Sequence, residues 1–245
     1  MNTSINQLVY ELLELRRAYL KNTDSLDKRL VIDWVQSQRS RLLKQKFDKP
    51  FSSIDDHYVQ SLGSLTMQKV VSNDITPVVD DYDYLYLTTL DIPRTIEQPE
   101  GKGTFTRIGP ANKLSPGFTI TTYEKALSYG NGKFNRNSIY AFVLGDKIGL
   151  YSKSGIHFGV KYLDVRGVFQ DAITAARIKT PTWDYNDDYP INKEIIDQLK
   201  VLIINEKFGL TLVQAEDKTD NKEEDAEGPI NVQKRAPQSN SGLQV

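Results

Sequence analysis

Four aspartates near the middle of the chain are the first residues whose type could do chemistry. Asp80, Asp81, Asp83 and Asp91 could supply ligands to a metal ion or carboxyls for acid–base catalysis. Their spacing does not fit a calcium-binding loop, because such a loop needs a glycine at its sixth position and a glutamate at its last. These aspartates are therefore predicted to lie in a solvated loop that precedes a strand.

Two further clusters have the residue types of a phosphate site and of a nucleophilic site. Gly101 and Gly103 form a glycine pair, but the third glycine of the dinucleotide-binding fingerprint is missing. Ser152, Ser154 and His157 lie close together in the sequence, yet nothing around them resembles a nucleophile elbow. His157 lies in an apolar, glycine-flanked segment and is predicted to have a structural role.

The amino-acid composition excludes further kinds of functional site. The 245 residues include two histidines and no cysteine, which excludes a multi-histidine metal site and thiolate chemistry. No stretch approaches the roughly 20 apolar residues of a membrane span, and the first residues lack the apolar run of a signal peptide. We therefore predict no catalytic, cofactor-binding or metal-binding residue, no enzymatic activity, no cofactor and no membrane partner.

Charge is unevenly distributed along a chain whose net charge is −1. Residues 1–50 carry ten basic and six acidic side chains, whereas residues 214–227 carry seven acidic and two basic ones. The basic run near residue 40 could attract phosphates in a salt-dependent way, or it could be a solvated helix face. The candidate DNA-facing residues are Arg39, Arg41, Lys44 and Lys46.

This basic run belongs to the second of two predicted helices. Apolar residues recur at steps of three and four in both 4–20 and 25–46, which is the period of an amphipathic helix. Thr3 or Ser4 is expected to cap the first helix, and Ser25 the second. Because only four residues join the two segments, they are predicted to form an antiparallel hairpin.

The helical hairpin cannot bury both apolar stripes by itself. It must pack either on its own body or on a neighbouring copy of the chain. For the second case we predict an intersubunit surface. Aromatic residues of a later β-hairpin could also belong to it, or that face could pack under a helix of the same chain. The predicted interface residues are Leu12, Trp34, Val35, Tyr140 and Phe142.

The clearest β signal lies in 138–152, where two apolar runs flank Gly145 as in a hairpin with a two-residue turn. In that register Phe142 lies opposite Gly149, so the aromatic ring fills the space that a side chain would take. The aliphatic face that includes Val143 is predicted to lie in the core.

Residues 51–70 are ambiguous between helix and strand. Ile54, Tyr58, Leu62 and Leu65 follow one another at helical steps, but Gly63 and the polar neighbours weaken a helical interpretation.

The predicted fold class is α+β, with an N-terminal antiparallel helical hairpin packed on a β-rich body, a late helix and an extended C-terminal tail. The predicted divisions are 1–50 for the hairpin, 51–213 for the body with helices near 121–129, 171–177 and 191–207, and 214–245 for the acidic and polar tail. The tail is too poor in apolar residues to order itself alone and is expected to dock on a partner. Its candidate docking residues are Ile230, Val232, Lys234 and Arg235.

Three stretches together resemble a known family. They are LVYELLELRRAYLKNTDSLDKRLVIDWVQSQRSRLLKQ at the start, YLDVRGVFQDAITAARI in the second half and DDYPINKEIIDQLKVLIINEKFGLTL before the tail. Their order resembles the ring, or head–tail connector, proteins of crAss-like tailed bacteriophages that infect Bacteroidetes. The resemblance covers roughly residues 5–213, and residues 91–135 contribute little to it.

The resemblance implies a non-enzymatic virion structural protein. Its expected form is a homo-oligomeric ring of twelve copies below the portal vertex, which joins portal to tail and lines or surrounds the DNA channel. The implied partners are the portal protein, adjacent ring and tail proteins, and genomic DNA in transient, non-specific proximity. The implied location is the head–tail junction of the virion, after assembly in the host cytoplasm.

Two other functions remain open from the residues alone. The first is a cytosolic interaction or scaffold module that uses the same hairpin and tail. The second is a nucleic-acid-binding protein that uses the basic end of the second helix. Oligomeric state separates the ring from the first, and salt-sensitive DNA binding would favour the second.

Overall fold

The computed structural model describes residues 3–20, 26–49, 54–71, 84–97, 103–112, 115–129 and 134–209. Its α-helices are α1 (Ile5–Leu20), α2 (Lys28–Phe47), α3 (Tyr123–Tyr129), α4 (Ala172–Lys179) and α5 (Lys193–Lys207). Its strands are β1 (Gln60–Val71), β2 (Tyr84–Thr88), β3 (Phe105–Pro110), β4 (Thr119–Ile120), β5 (Tyr140–Leu144), β6 (Lys147–Tyr151) and β7 (Tyr162–Gly167). The α+β prediction is confirmed, and the predicted tail docking residues lie outside the described part.

The seven strands form one mixed sheet in the order β3-β7-β1-β2-β6-β5-β4. Only β4 pairs in parallel, with β5, and the other neighbours are antiparallel. One face of the sheet packs with α4 residues such as Ala175, while α3 covers the opposite face over β5. The two faces of the sheet are therefore covered by different helices.

The ambiguous segment 54–70 is resolved by a β-bulge. Tyr58 ends a short 3-10 turn, and Leu62 and Leu65 lie in β1, both buried. The pairing with β7 shifts between Ser61 and Ser64, and Gly63 has a φ of 78°. One extra residue in the strand turns the usual step of two into a step of three, so the helix-like step from Leu62 to Leu65 comes from the bulge.

The N-terminal helices pack with α5 in a second core rather than standing apart from the body. Leu8 of α1, Leu43 of α2 and Leu199 of α5 are all fully buried in this core. The predicted cap Ser4 is confirmed, since its Oγ accepts a hydrogen bond from the Gln7 amide at 3.2 Å. The prediction that Ser25 caps the second helix is wrong.

The α2 cap is Asp27 instead of Ser25, because the helix begins only at Lys28. The Asp27 carboxylate accepts from the Arg29 amide at 2.9 Å. The predicted late helix is present as α5, where Asn192 Oδ1 accepts a hydrogen bond from the Ile195 amide and Gly209 follows the helix end with a φ of 63°. Asp171 likewise caps α4.

The β5–β6 hairpin has the predicted register, with Phe142 opposite Gly149 and Val143 opposite Ile148. A side chain at position 149 would overlap the Phe142 ring, which confirms that the ring occupies that space. The face that includes Val143 is only partly as predicted. Ile148 is buried in the core, whereas Val143 lies near the hairpin tip and is 42% exposed.

Candidate assembly surface

Arg39 is a buried cation that fastens α2 to the rest of the chain. Its Nε donates to the Pro190 carbonyl at 2.9 Å, and its Nη1 donates to the Phe169 carbonyl at 2.9 Å. Ser40 adds a bond from its Oγ to the Gln170 carbonyl at 2.9 Å. These three bonds tie one turn of α2 to the segments that precede α4 and α5. The prediction that Arg39 faces DNA is therefore wrong, because its side chain is fully buried.

The rest of the predicted basic run contacts α5. Arg41 Nη1 lies 2.7 Å from the Glu206 carboxylate, and its hydrogen bond is the main reason that the pKa of Glu206 is lowered. Lys46 Nζ lies 3.2 Å from the Glu194 carboxylate and 5.3 Å from the Tyr58 ring centroid. Lys44, the fourth candidate residue, is exposed. Only Arg39 is therefore ruled out by burial, and a DNA-facing role of Arg41, Lys44 and Lys46 stays a prediction.

Tyr189 lies beside the buried arginine, with the Arg39 guanidinium carbon 5.6 Å from its ring centroid. Its hydroxyl is buried and has no hydrogen-bond partner in the described part of the chain. Burial raises the pKa of Tyr189 to about 12 from an ordinary value of 10. The folded chain thus holds this proton more tightly than the unfolded chain does.

That raised pKa predicts a specific alkaline sensitivity. The tyrosine's contribution to stability is fully present below pH 10 and is lost as pH rises from 10 to about 12. Tyr189→Phe is expected to leave the free energy of unfolding at neutral pH within about 1 kcal/mol of the wild type, because no hydrogen bond is lost. Urea unfolding across alkaline pH should then show a shallower loss of stability in the variant. An unchanged alkaline slope would contradict this assignment.

The other chemically suggestive residues also hold the fold together. Ser152 donates its amide to His157 Nδ1 at 3.0 Å, and its hydroxyl donates to the Arg136 carbonyl at 3.2 Å. Asp164 is buried and pairs with Arg166 at 3.1 Å and with Arg107 at 3.3 Å. The structural role predicted for His157 is confirmed.

Only one of the four aspartates near the middle of the chain lies in the described residues. Positions 80, 81 and 83 lie outside the described residues, as does Gly101, whereas Asp91 is exposed and lies 3.7 Å from Lys147 Nζ. Within the described ranges there is no group of three or more His, Cys, Asp or Glu that could hold a metal ion. A search of the same residues found no helix that is long and apolar enough to cross a membrane.

Four of the five predicted interface residues are buried inside the chain's own clusters. Leu12 and Val35 have no exposed surface, Phe142 is 1% exposed and Tyr140 is 5% exposed. Their side chains contact the chain's own core, which corrects their assignment to an intersubunit surface. Trp34 is half-buried and packs edge-to-face on Phe208, with ring centroids 6.0 Å apart.

Exposed apolar residues instead collect at the β4 end of the sheet. We call this surface the β5 edge and define it by five residues of β4, α3 and β5. They are Ile120, Leu127, Tyr129, Val143 and Leu144, each at least 36% exposed. Two of them, Val143 and Leu144, lie on β5 with Tyr140 and Phe142, the two predicted interface residues of that strand.

Sequence reasoning missed the other members of the β5 edge for identifiable reasons. β4 has only two residues, Thr119 and Ile120, which is too short for an alternating pattern to show. Leu127 and Tyr129 lie on a seven-residue helix with one buried residue, Ala126. Only the spatial neighbourhood of these elements reveals that their exposed side chains share one end of the sheet.

A chain whose buried polar groups hold its own elements together, and which presents an apolar sheet edge, has the features of an assembly subunit. A family model described as phage tail ring protein 2, of the crAss ring group, matches residues 7–226. Because this match spans well over half of the sequence, the chain belongs to that family of structural ring proteins of the phage tail. No curated protein matches the chain.

The family match also bears on the resemblance noted from the three sequence stretches. It confirms a crAss-like phage ring protein and therefore a structural protein of the virion. It extends beyond residue 213, where the predicted body ends, and includes most of the acidic run at 214–227. The family match therefore does not end where the predicted body ends.

Proposed function

We propose that this chain forms a closed homo-oligomeric ring at the head–tail junction of a crAss-like bacteriophage that infects Bacteroidetes. The ring has twelve copies, contacts the portal protein and adjacent ring or tail proteins, and surrounds the channel through which the genome passes. The observation that carries this proposal is the match to the phage tail ring protein 2 family over residues 7–226. The role is structural and non-enzymatic.

The way α2 is held supports a structural subunit with a fixed shape. Arg39 and Ser40 join this helix to two other segments through backbone carbonyls, and Arg41 joins it to α5. Buried bonds to fixed carbonyl groups allow little movement of one layer against the other. A subunit of this kind keeps its shape when neighbouring rings or passing DNA press on it.

Charge pairing supports a channel that does not retain DNA. Arg41 and Lys46 are two cations of the predicted basic run, and both are engaged by glutamates of α5, whereas Lys44 of the same run is exposed. Each exposed pair adds little to stability, but it reduces the positive field that DNA would meet. Pairing of these cations favours the ring over the nucleic-acid-binding alternative.

The C-terminal tail lies outside the described residues, and its role stays a proposal. We place a docking segment in 228–245, which follows the end of the family match and contains Ile230, Val232, Lys234 and Arg235. Deleting 228–245 should leave ring formation intact and weaken co-sedimentation with the neighbouring ring or portal. Unchanged co-sedimentation would contradict docking through this tail.

Co-assembly with the portal tests the proposed position in the virion. The purified chain is mixed with portal rings of the same phage and examined by electron microscopy. The expected result is added density on the tail-facing side of the portal with matching rotational symmetry. Portal rings that stay bare, while the chain forms rings of its own, would keep the ring and reject the portal contact.

A further inference from the structure

Exposed apolar surface is unevenly distributed over the described part of the chain. Thirteen large apolar side chains are exposed there, and the five that form the β5 edge lie on the neighbouring elements β4, α3 and β5. Single exposed apolar residues are normal on a protein surface, whereas a group at one place indicates a contact surface.

The backbone at the β5 edge is also only partly paired. β4 pairs with β5 at Tyr140 and Ala141, and no described strand lies beside the rest of β5 on that side. The Ala141 carbonyl accepts from the Thr121 amide at 2.9 Å, so it points away from β6. Two residues further, the Val143 backbone points the same way. Such an edge can pair with another chain.

The β5 edge is rigid because aromatic rings lock α3 onto β5. The Tyr123 and Phe142 ring centroids are 5.0 Å apart, and those of Tyr129 and Tyr140 are 6.0 Å apart. Phe142 in turn lies over Gly149 of the next strand. A surface fixed in this way loses little conformational freedom when it binds, which favours stable contacts.

Charges near the hairpin tip are already paired within the chain. Lys147 Nζ lies 3.7 Å from the Asp91 carboxylate, and Arg94 Nε lies 3.9 Å from the Asp146 carboxylate. These two ion pairs contribute no net charge beside the apolar residues of the tip. Such a surface is better suited to contact another protein than a polyanion such as DNA.

From these observations we infer that the β5 edge is the face through which each copy contacts the next copy in the ring. The inference rests on the proposed homo-oligomeric ring. In a closed ring each subunit uses two different patches, one for each neighbour, and the β5 edge is one of them. Val143 and Ile120 lie at the apolar centre of the contact, and the paired charges of the tip lie at its rim.

Paired aspartate substitutions test this inference with matched controls. Ile120→Asp combined with Val143→Asp places two charges in the contact, at positions that are each 42% exposed. The control combines Val71→Asp with Ile156→Asp, which have the same residue types and exposures of 43% and 47%. Val71 lies on β1, which is separated from β5 by two strands.

Both double variants are compared with the wild type by sedimentation and circular dichroism. The edge variant should remain folded but shift from ring to monomer, with at least a tenfold weaker assembly, while the control should form rings like the wild type. Rings of unchanged strength in the edge variant would overturn the inference and leave the proposed ring intact. A wild type that forms no ring, either alone or on portal rings, would overturn the proposed function itself.

Cysteine labelling gives a second readout that needs no destabilising charge. The chain has no cysteine, so Val143→Cys and Val71→Cys each create a single thiol. Ring formation should slow maleimide labelling at position 143 at least tenfold and leave labelling at position 71 unchanged. Equal labelling of position 143 in rings and in monomers would overturn the inference.

Discussion

Replacing Arg39 with methionine is expected to lower the free energy of unfolding by about 2–4 kcal/mol. The substitution leaves the carbonyls of Phe169 and Pro190 without the donors that now lie 2.9 Å away. Each buried carbonyl left without a partner costs about 1–3 kcal/mol, and relief of a desolvated cation offsets part of this sum. Burial lowers the pKa of Arg39, because a charged guanidinium is less stable when it is removed from water.

Arg41→Met is the matched control for this prediction. It removes the same side chain two positions away, where the guanidinium is about half exposed and pairs with Glu206. An exposed ion pair contributes about 0–1 kcal/mol, so urea unfolding should show little change in the control. Arg39→Lys should recover only part of the loss, because an ammonium cannot reproduce the planar donor geometry of arginine.

An Arg39→Met variant that is as stable as the wild type would contradict this role. Well-packed apolar residues do replace some buried charges without loss. That outcome would mean that the two carbonyls find other donors and that α2 is held mainly by the apolar core that it shares with α5.

Gly149→Ala is expected to destabilise the fold by about 1–3 kcal/mol, although alanine normally stabilises a strand relative to glycine. The new Cβ would overlap the Phe142 ring and come within 3.1 Å of the Leu87 side chain. Phe142 cannot easily move, because it is 1% exposed and packs on Tyr123. The expected sign of the change is therefore the opposite of the usual one.

Gly159→Ala is the control for steric overlap, since no heavy atom lies within 4 Å of its new Cβ and its φ is not in the left-handed region. It should be neutral or slightly stabilising in thermal unfolding. Combining Gly149→Ala with Phe142→Leu should cost less than the sum of the two single changes, because the smaller side chain makes room. Additive effects would show that Phe142 and Gly149 do not share this space.

Local patterns predicted the parts of the fold that depend on residues close in sequence. The β5–β6 register followed from two apolar runs around Gly145, and the cap at Ser4 followed from its residue type just before a helical period. The bulge in β1 was hidden, because an extra residue produces the same three-residue step that a helix shows.

Long-range contacts decided the features that the sequence could not predict. Arg39 belongs to a run of basic residues that the sequence suggests is exposed. It is buried because Phe169 and Pro190, far away in the chain, approach it and accept its hydrogen bonds. The same holds for Tyr140 and Phe142, which lie under α3 instead of facing a neighbour. An apolar stripe predicts burial but does not identify the surface that covers it.

The mass of the purified chain in solution tests the ring most directly. Native mass spectrometry over a range of protein concentrations should show one assembly with a fixed whole number of copies, for which the proposal gives twelve. The Ile120→Asp, Val143→Asp variant should appear as monomer under the same conditions. A wild-type chain that is monomeric at every concentration, and that also fails to join a portal ring, would contradict the account.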